Sequence, residues 1–179
     1  LDRSSAASDV YKDRYTTAGY REVGEDSKHN AHSLGSQIEA VVRTIHRPIL
    51  ITTSQFKKTE KVMLAFDGSP TANKTVQMLA ASPLCEGLTI HIVMVGADSQ
   101  DNQSELENAR SALASSGLMV QAEIRPGEVE TVLHAYQAEH AIDLLVMGAY
   151  GHSRIRQFLV GSTTTTMLRT ATIPVLLLR

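Results

Sequence analysis

Three glycines and a serine stand together late in the chain, in the stretch DLLVMGAYGHSRIRQFLVGSTTTT, which begins at Asp143. Two residues separate Gly148 from Gly151, and nine separate Gly151 from Gly161-Ser162. Glycine lets a backbone turn tightly and approach a ligand where a Cβ would collide. Gly161 and Ser162 fall where a helical pattern starts. The free N–H groups and positive dipole end of a helix start suit an anion, phosphate above all. Ser162 and Thr163 would add hydroxyls. The same residues allow a plainer reading, in which the glycines shape a loop and Ser162 caps a helix.

The elements that must position these residues are legible around them. Leu144-Leu145-Val146-Met147 is an apolar run with the length and flanks of a buried strand. A second run, 62–66, ends at Asp67. Further strands are expected over 88–95, 119–124 and 173–178, with the run before Gly148 spanning 143–147. Ser69-Pro70 opens a helix that runs to 81, serine suiting the cap and proline the first turn. Further helices are expected over 103–115, with Leu106, Ala109 and Leu113 inward, and over 128–139, with Val129, Val132, Leu133 and Tyr136 on one face. Strands alternating with amphipathic helices predict a parallel sheet covered on both faces. Its ligands would gather beyond the carboxyl ends of the strands. Asp67 and Gly148 both lie at that edge.

The front of the chain repeats the end. Residues 34–51 align without gaps on 160–177, with Gly, Ser, Arg, Thr and Pro recurring at the same places. Ile38, Val41, Val42 and Ile45 have helical spacing, and Ile49-Leu50-Ile51 after Pro48 reads as a short strand. Residues 1–30 are polar and poorly patterned, and read as loop, short helix or disorder. Gly24 precedes Gly35-Ser36 by one residue more than Gly151 precedes Gly161, so a phosphate site in the first copy would be weak. The division is an incomplete first repeat over 1–53, a linker over 54–60 and a complete domain over 61–179.

Gly148-x2-Gly151-x9-Gly161-Ser162 resembles the ATP-binding signature of the universal stress protein family. Lys61-Val62-Met63-Leu64-Ala65-Phe66-Asp67-Gly68-Ser69 is similar to that family's first strand and its Asp. Ile173-Pro174-Val175-Leu176-Leu177-Leu178 is similar to its last strand. The resemblance implies an open five-stranded parallel sheet of order 3-2-1-4-5, preceded by the helix-strand tail of another repeat. It implies that Asp67 contacts a ribose hydroxyl or adenine amino group, against the alternative of a helix cap. Ala65 and Phe66 would meet adenine through backbone, and Val95 would pack on it or be plain core. Gly148, Gly151, Gly161, Ser162 and Thr163 match the phosphate positions, bordered by Met147 and His152. Arg154 and Arg156 would neutralise phosphate or form a solvated face. The ligand implied is ATP, with or without Mg. The last strands, Ile49-Leu50-Ile51 and Val175-Leu176-Leu177, would pair in a homodimer or in a pseudo-dimer within one chain. A role in stress survival is implied by the resemblance alone.

Other classes have less support. With 42% hydrophobic and 20% charged residues and a net charge of −2, the composition is globular and offers no overall basic surface for nucleic acid. Aromatic residues are 4% and Trp is absent, which disfavours base-stacking platforms. The single Cys85 excludes an internal disulfide framework, fits a reducing compartment and reads as structural. No apolar run reaches the ~18 residues that span a bilayer and no stretch has the layout of a signal peptide, so the expected location is cytoplasmic. The P-loop pattern, the kinase catalytic-loop signature and zinc-ligand spacings are missing. Nucleotide binding is therefore better supported than turnover. A slow ATPase, with Asp67 as the evident carboxylate, and a nucleotide-free dimerisation scaffold are the alternatives.

Overall fold

The computed structural model describes residues 16–19, 47–53, 57–148, 167, 168 and 170–178. These form seven strands and three long helices: β1 Thr16–Gly19, β2 Ile49–Thr52, β3 Lys61–Phe66, α1 Pro70–Ala80, β4 Thr89–Val95, α2 Gln100–Ser115, β5 Met119–Arg125, α3 Val129–His140, β6 Leu144–Gly148 and β7 Val175–Leu178. One sheet takes them all in the order β1-β2-β7-β6-β3-β4-β5.

Strand periodicity of two explains the two cores. Val62, Leu64, Phe66, Ile90, Ile92, Met94 and Val146 point to one face, where Ala72, Val76 and Leu79 of α1 and Leu106, Ala109 and Leu113 of α2 cover them. Met63, Val93, Leu145 and Met147 point to the other, under Leu133 and Tyr136 of α3 and Met167. Strands buried on both sides become continuous apolar runs, as parallel sheets require.

The helix starts follow from their caps. Ser69 Oγ accepts from Ala72 N at 3.1 Å, and Pro70 occupies the first turn. Ser99 Oγ accepts from Asn102 N, which starts α2 at Gln100 rather than at 103 as the apolar spacing suggests. Glu128 caps α3 through Thr131 N. The linker ahead of β3 is clamped by Asp143, which is 6% exposed. Its Oδ2 accepts from Glu60 N and Lys61 N, both at 3.0 Å, and its Oδ1 pairs with Lys57 Nζ at 2.6 Å.

The α/β architecture and the order of the five strands from β3 onward agree with the sequence reading. The sheet itself is larger. It has seven strands rather than five, and it is not parallel throughout. β2 runs antiparallel to β7, with Ile49↔Leu177, Leu50↔Leu176 and Ile51↔Val175. β1 then adds parallel to β2. Thr16–Gly19 lie in the segment read as loop, short helix or disorder; pairing with β2 makes them a strand despite their weak apolar signal. The helix expected from the spacing of Ile38, Val41, Val42 and Ile45 lies outside the described residues. Cys85 is buried in a short turn, and burial pushes its thiol up, which fits a structural role.

Candidate functional site

The carboxyl ends of β3, β4 and β6 form one edge. Register places Ala65 beside both Val93 and Met147, so Phe66 lies level with Met94 and Gly148. Asp67 follows one residue further on, level with Val95. Six of the residues singled out from the sequence are thus brought onto that edge: Ala65, Phe66, Asp67, Val95, Met147 and Gly148. The side chains divide by face. Ala65, Val95 and Met147 belong to the α3 side, with Ala65 and Val95 half-buried. Phe66 is buried on the α1–α2 side, so only its backbone is available at the edge.

Asp67 is exposed, and its Oδ1 accepts from Ser69 N at 3.0 Å. Gly68 between them has φ +71°, a left-handed conformation that glycine takes at least cost. Asn73 Nδ2 donates to Gly68 O at 3.1 Å and closes the turn. Ser69 therefore caps α1, and Asp67 braces the turn that delivers it. A carboxylate braced in this way is held at the sheet edge in a fixed place, where it can accept from a hydroxyl or amino group.

Gly148 is explained by its neighbour. A Cβ there would lie 3.0 Å from Thr71 Cγ2 and 3.9 Å from Ala72 N, in the first turn of α1. The missing side chain lets that helix start sit tightly against the end of β6. Close helix packing is thus one reason for glycine at this position, beside any approach to a ligand. Gly151, His152, Arg154, Arg156, Gly161, Ser162 and Thr163 lie outside the described residues.

Two neighbours of this edge were not singled out from the sequence. One is Thr71. The other is Glu105 of α2, whose carboxylate would overlap a Cβ placed on Gly68. Neither carries a sequence signal, because each contact joins positions far apart in the chain. Asp-Gly-Ser itself does signal a positive φ at Gly68. Among the described residues, no group of three or more His, Cys, Asp or Glu could hold a metal ion. No described helix is long and apolar enough to cross a membrane.

Comparisons with known proteins converge on one family. Residues 94–179 match the model of the universal stress protein family. The chain is 43% identical over 158 residues to a universal stress protein of Synechocystis sp., covering 87% of this chain and 55% of that protein. It thus spans about half the length of that curated relative. Among solved structures, a universal stress protein from Archaeoglobus fulgidus matches with a TM-score of 0.71 at 21% identity, over 96% of this chain and 63% of that one. A universal stress protein in complex with cAMP matches with a TM-score of 0.57 at 21% identity, over 69% of this chain and 98% of the other. An Arabidopsis thaliana family member with AMP bound matches with a TM-score of 0.53 at 18% identity, over 66% and 90%.

Proposed function

The chain belongs to the universal stress protein family, and from that premise we propose that residues 61–179 are an ATP-binding regulatory module acting in the cytoplasm. One observation carries the reading. Ala65, Asp67, Val95, Met147 and Gly148 converge on a single sheet edge, at the point where the Gly148-x2-Gly151-x9-Gly161-Ser162 signature begins.

The edge fits the nucleoside half of the ligand. Ala65 and Val95 offer a half-buried apolar floor for a base, with Met147 beneath. Asp67 offers an acceptor for a ribose hydroxyl or amino group. The phosphates would run over Gly148, Gly151, Gly161, Ser162 and Thr163, with His152 beside them and Mg as an accompanying ion. That two solved relatives carry cAMP and AMP supports an adenine nucleotide as the class of ligand. Binding rather than turnover is the proposed activity, because the sequence places no general base beside the phosphates.

Residues 1–53 we infer to be the closing part of a preceding repeat. β1 pairs with β2 as β6 pairs with β7, in parallel, and Gly19↔Thr52 matches Gly148↔Leu178 in register. The antiparallel β2–β7 contact then acts as a pseudo-dimer interface within one chain.

The test is the nucleotide content of the purified protein, released by denaturation and separated by chromatography, with ATP titration of the emptied protein beside Gly161→Val and Asp67→Ala. Co-purifying ATP that both variants lose supports the module. An ADP fraction that grows with time, and disappears in Asp67→Ala while that variant still binds ATP, would instead favour slow hydrolysis. Folded protein with no nucleotide and no heat of binding would overturn the proposal and leave a dimerisation scaffold.

A further inference from the structure

On the α3 face, away from the edge just described, a polar cluster is buried in an otherwise apolar core. His91 in the middle of β4 is 2% exposed. Its Nδ1 lies 2.9 Å from the hydroxyl of Tyr136 in α3. Its Nε2 is buried and has no hydrogen-bond partner among the described residues. The His140 ring, at the end of α3, stacks on Tyr136 with centroids 4.1 Å apart and lies 5.4 Å from the His91 ring. The Arg125 guanidinium of β5 sits over the Tyr136 ring, 4.5 Å from its centre.

We propose that this cluster is an acid-sensitive latch: the neutral His91–Tyr136 pair holds α3 on the sheet, and a proton on His91 releases it. A neutral imidazole can satisfy Tyr136 with one nitrogen. A protonated ring is a donor at both nitrogens, and Nε2 meets no acceptor among the described residues. The charged groups around the ring do not compensate. Lys61 of β3 reaches the same corner, donating its Nζ to His140 O at 3.0 Å. His140 and Arg125 are further cationic or potentially cationic groups. The nearby acids, Glu123 of β5 and Glu139 of α3, are both engaged by Arg125 at 2.7 Å.

Burial therefore holds His91 below the ordinary histidine range, and His140 and Lys61 push it the same way. The sign follows. Released His91 binds its proton near pH 6.5, while latched His91 resists it. The latch is at full strength above about pH 6.5, and each unit below that weakens it by up to about tenfold, until latched His91 itself titrates. Opening would be local, because Leu133 and Tyr136 are the buried side chains of α3 and its remaining ties to the sheet lie at its exposed end. It would reach further at one point: α3 leads directly into β6, which ends at Gly148.

Hydrogen exchange on the full chain at pH 7.5 and 5.5, corrected for intrinsic rates, tests the latch. Protection of residues 129–140 should fall more than that of 100–115, by up to about tenfold. The double variant His91→Leu/Tyr136→Phe, which removes both polar partners together, should abolish that difference. Parallel loss in the two helices of the unmodified chain, or an unchanged acid response in the double variant, would overturn the proposal. Should the double variant not fold, the imidazole proton resonances of the unmodified chain decide. His91 should titrate below the ordinary histidine value of about 6.5 in the folded signal, and a folded-state titration at or above that value would equally overturn it.

Discussion

Leu50 faces Leu176 at the centre of the antiparallel β2–β7 contact, and the pairs on either side, Ile49↔Leu177 and Ile51↔Val175, exchange under a half-turn about it. The repeat alignment equates Ile49 with Val175 and Ile51 with Leu177, so the half-turn relates equivalent residues. Ile49 is 2% exposed and Leu177 also 2%. Ile49→Ala should therefore cost about 2–4 kcal/mol of stability, by lost burial and the cavity left behind. Because the two side chains share that cavity, Ile49→Ala and Leu177→Ala should couple by at least about 0.5 kcal/mol in a double-mutant cycle read from urea midpoints. Strict additivity would show that β2 does not rest on β7 in solution.

Asp143 ties the linker to the domain through two backbone N–H groups and Lys57. Burial pushes its carboxyl up, but those three partners outweigh burial and hold it below the ordinary aspartate range. The carboxylate thus stabilises the fold above the unfolded value near pH 3.9, and that stability is lost as pH falls through the lower folded value. Asp143→Asn should cost about 1–3 kcal/mol at pH 7. The gap between variant and unmodified protein should narrow toward pH 3. Urea midpoints at both pH values check it, and a gap that widens on acidification would refute the carboxylate's role.

Of the strands from β3 onward, β3, β4, β6 and β7 were legible as short, mostly apolar runs and β5 as a run in which Val120, Ala122 and Ile124 alternate with polar residues, and α1 because Ser69-Pro70 is a cap followed by a first-turn proline. β1 was not, since Thr16-Thr17-Ala18-Gly19 has no large apolar residue and becomes a strand only by pairing with β2. His91 stood inside an apolar run, and nothing local marks its contact with Tyr136, 45 residues away. The edge positions of Asp67 and Gly148 were legible for the same reason as the strands, since both end apolar runs. The Thr71 contact that also explains Gly148 joins two distant segments, and single-sequence spacing cannot show it.

Gly68 combines a left-handed backbone with a close neighbour, and the two effects can be separated. A Cβ there strains φ +71° and also meets the Glu105 carboxylate. Gly68→Ala should cost about 1–2 kcal/mol, mostly from the backbone. Glu105 is exposed and can swing away, so adding Glu105→Ala should restore only a few tenths of a kcal/mol. Thermal midpoints of the single and double variants decide. Full recovery in the double variant would make the carboxylate, not the backbone, the obstacle.

Gly148 separates packing from ligand binding. A valine there would drive its branches into Thr71 in the first turn of α1, since even the Cβ lies 3.0 Å from Thr71 Cγ2. Overpacking of this kind costs about 1–3 kcal/mol, and the end of β6 or the start of α1 must shift to absorb it. Gly148→Val should therefore lose stability in nucleotide-free protein. Thr71→Ser, which removes the Cγ2 methyl, should recover part of that loss. If stability is unchanged and only nucleotide affinity falls, the glycine is there for the ligand and the helix contact is incidental. If stability falls and Thr71→Ser rescues it while affinity stays low, both roles meet at one residue. The backbone that lets α1 sit tightly on the sheet would then also set the floor beneath the phosphates.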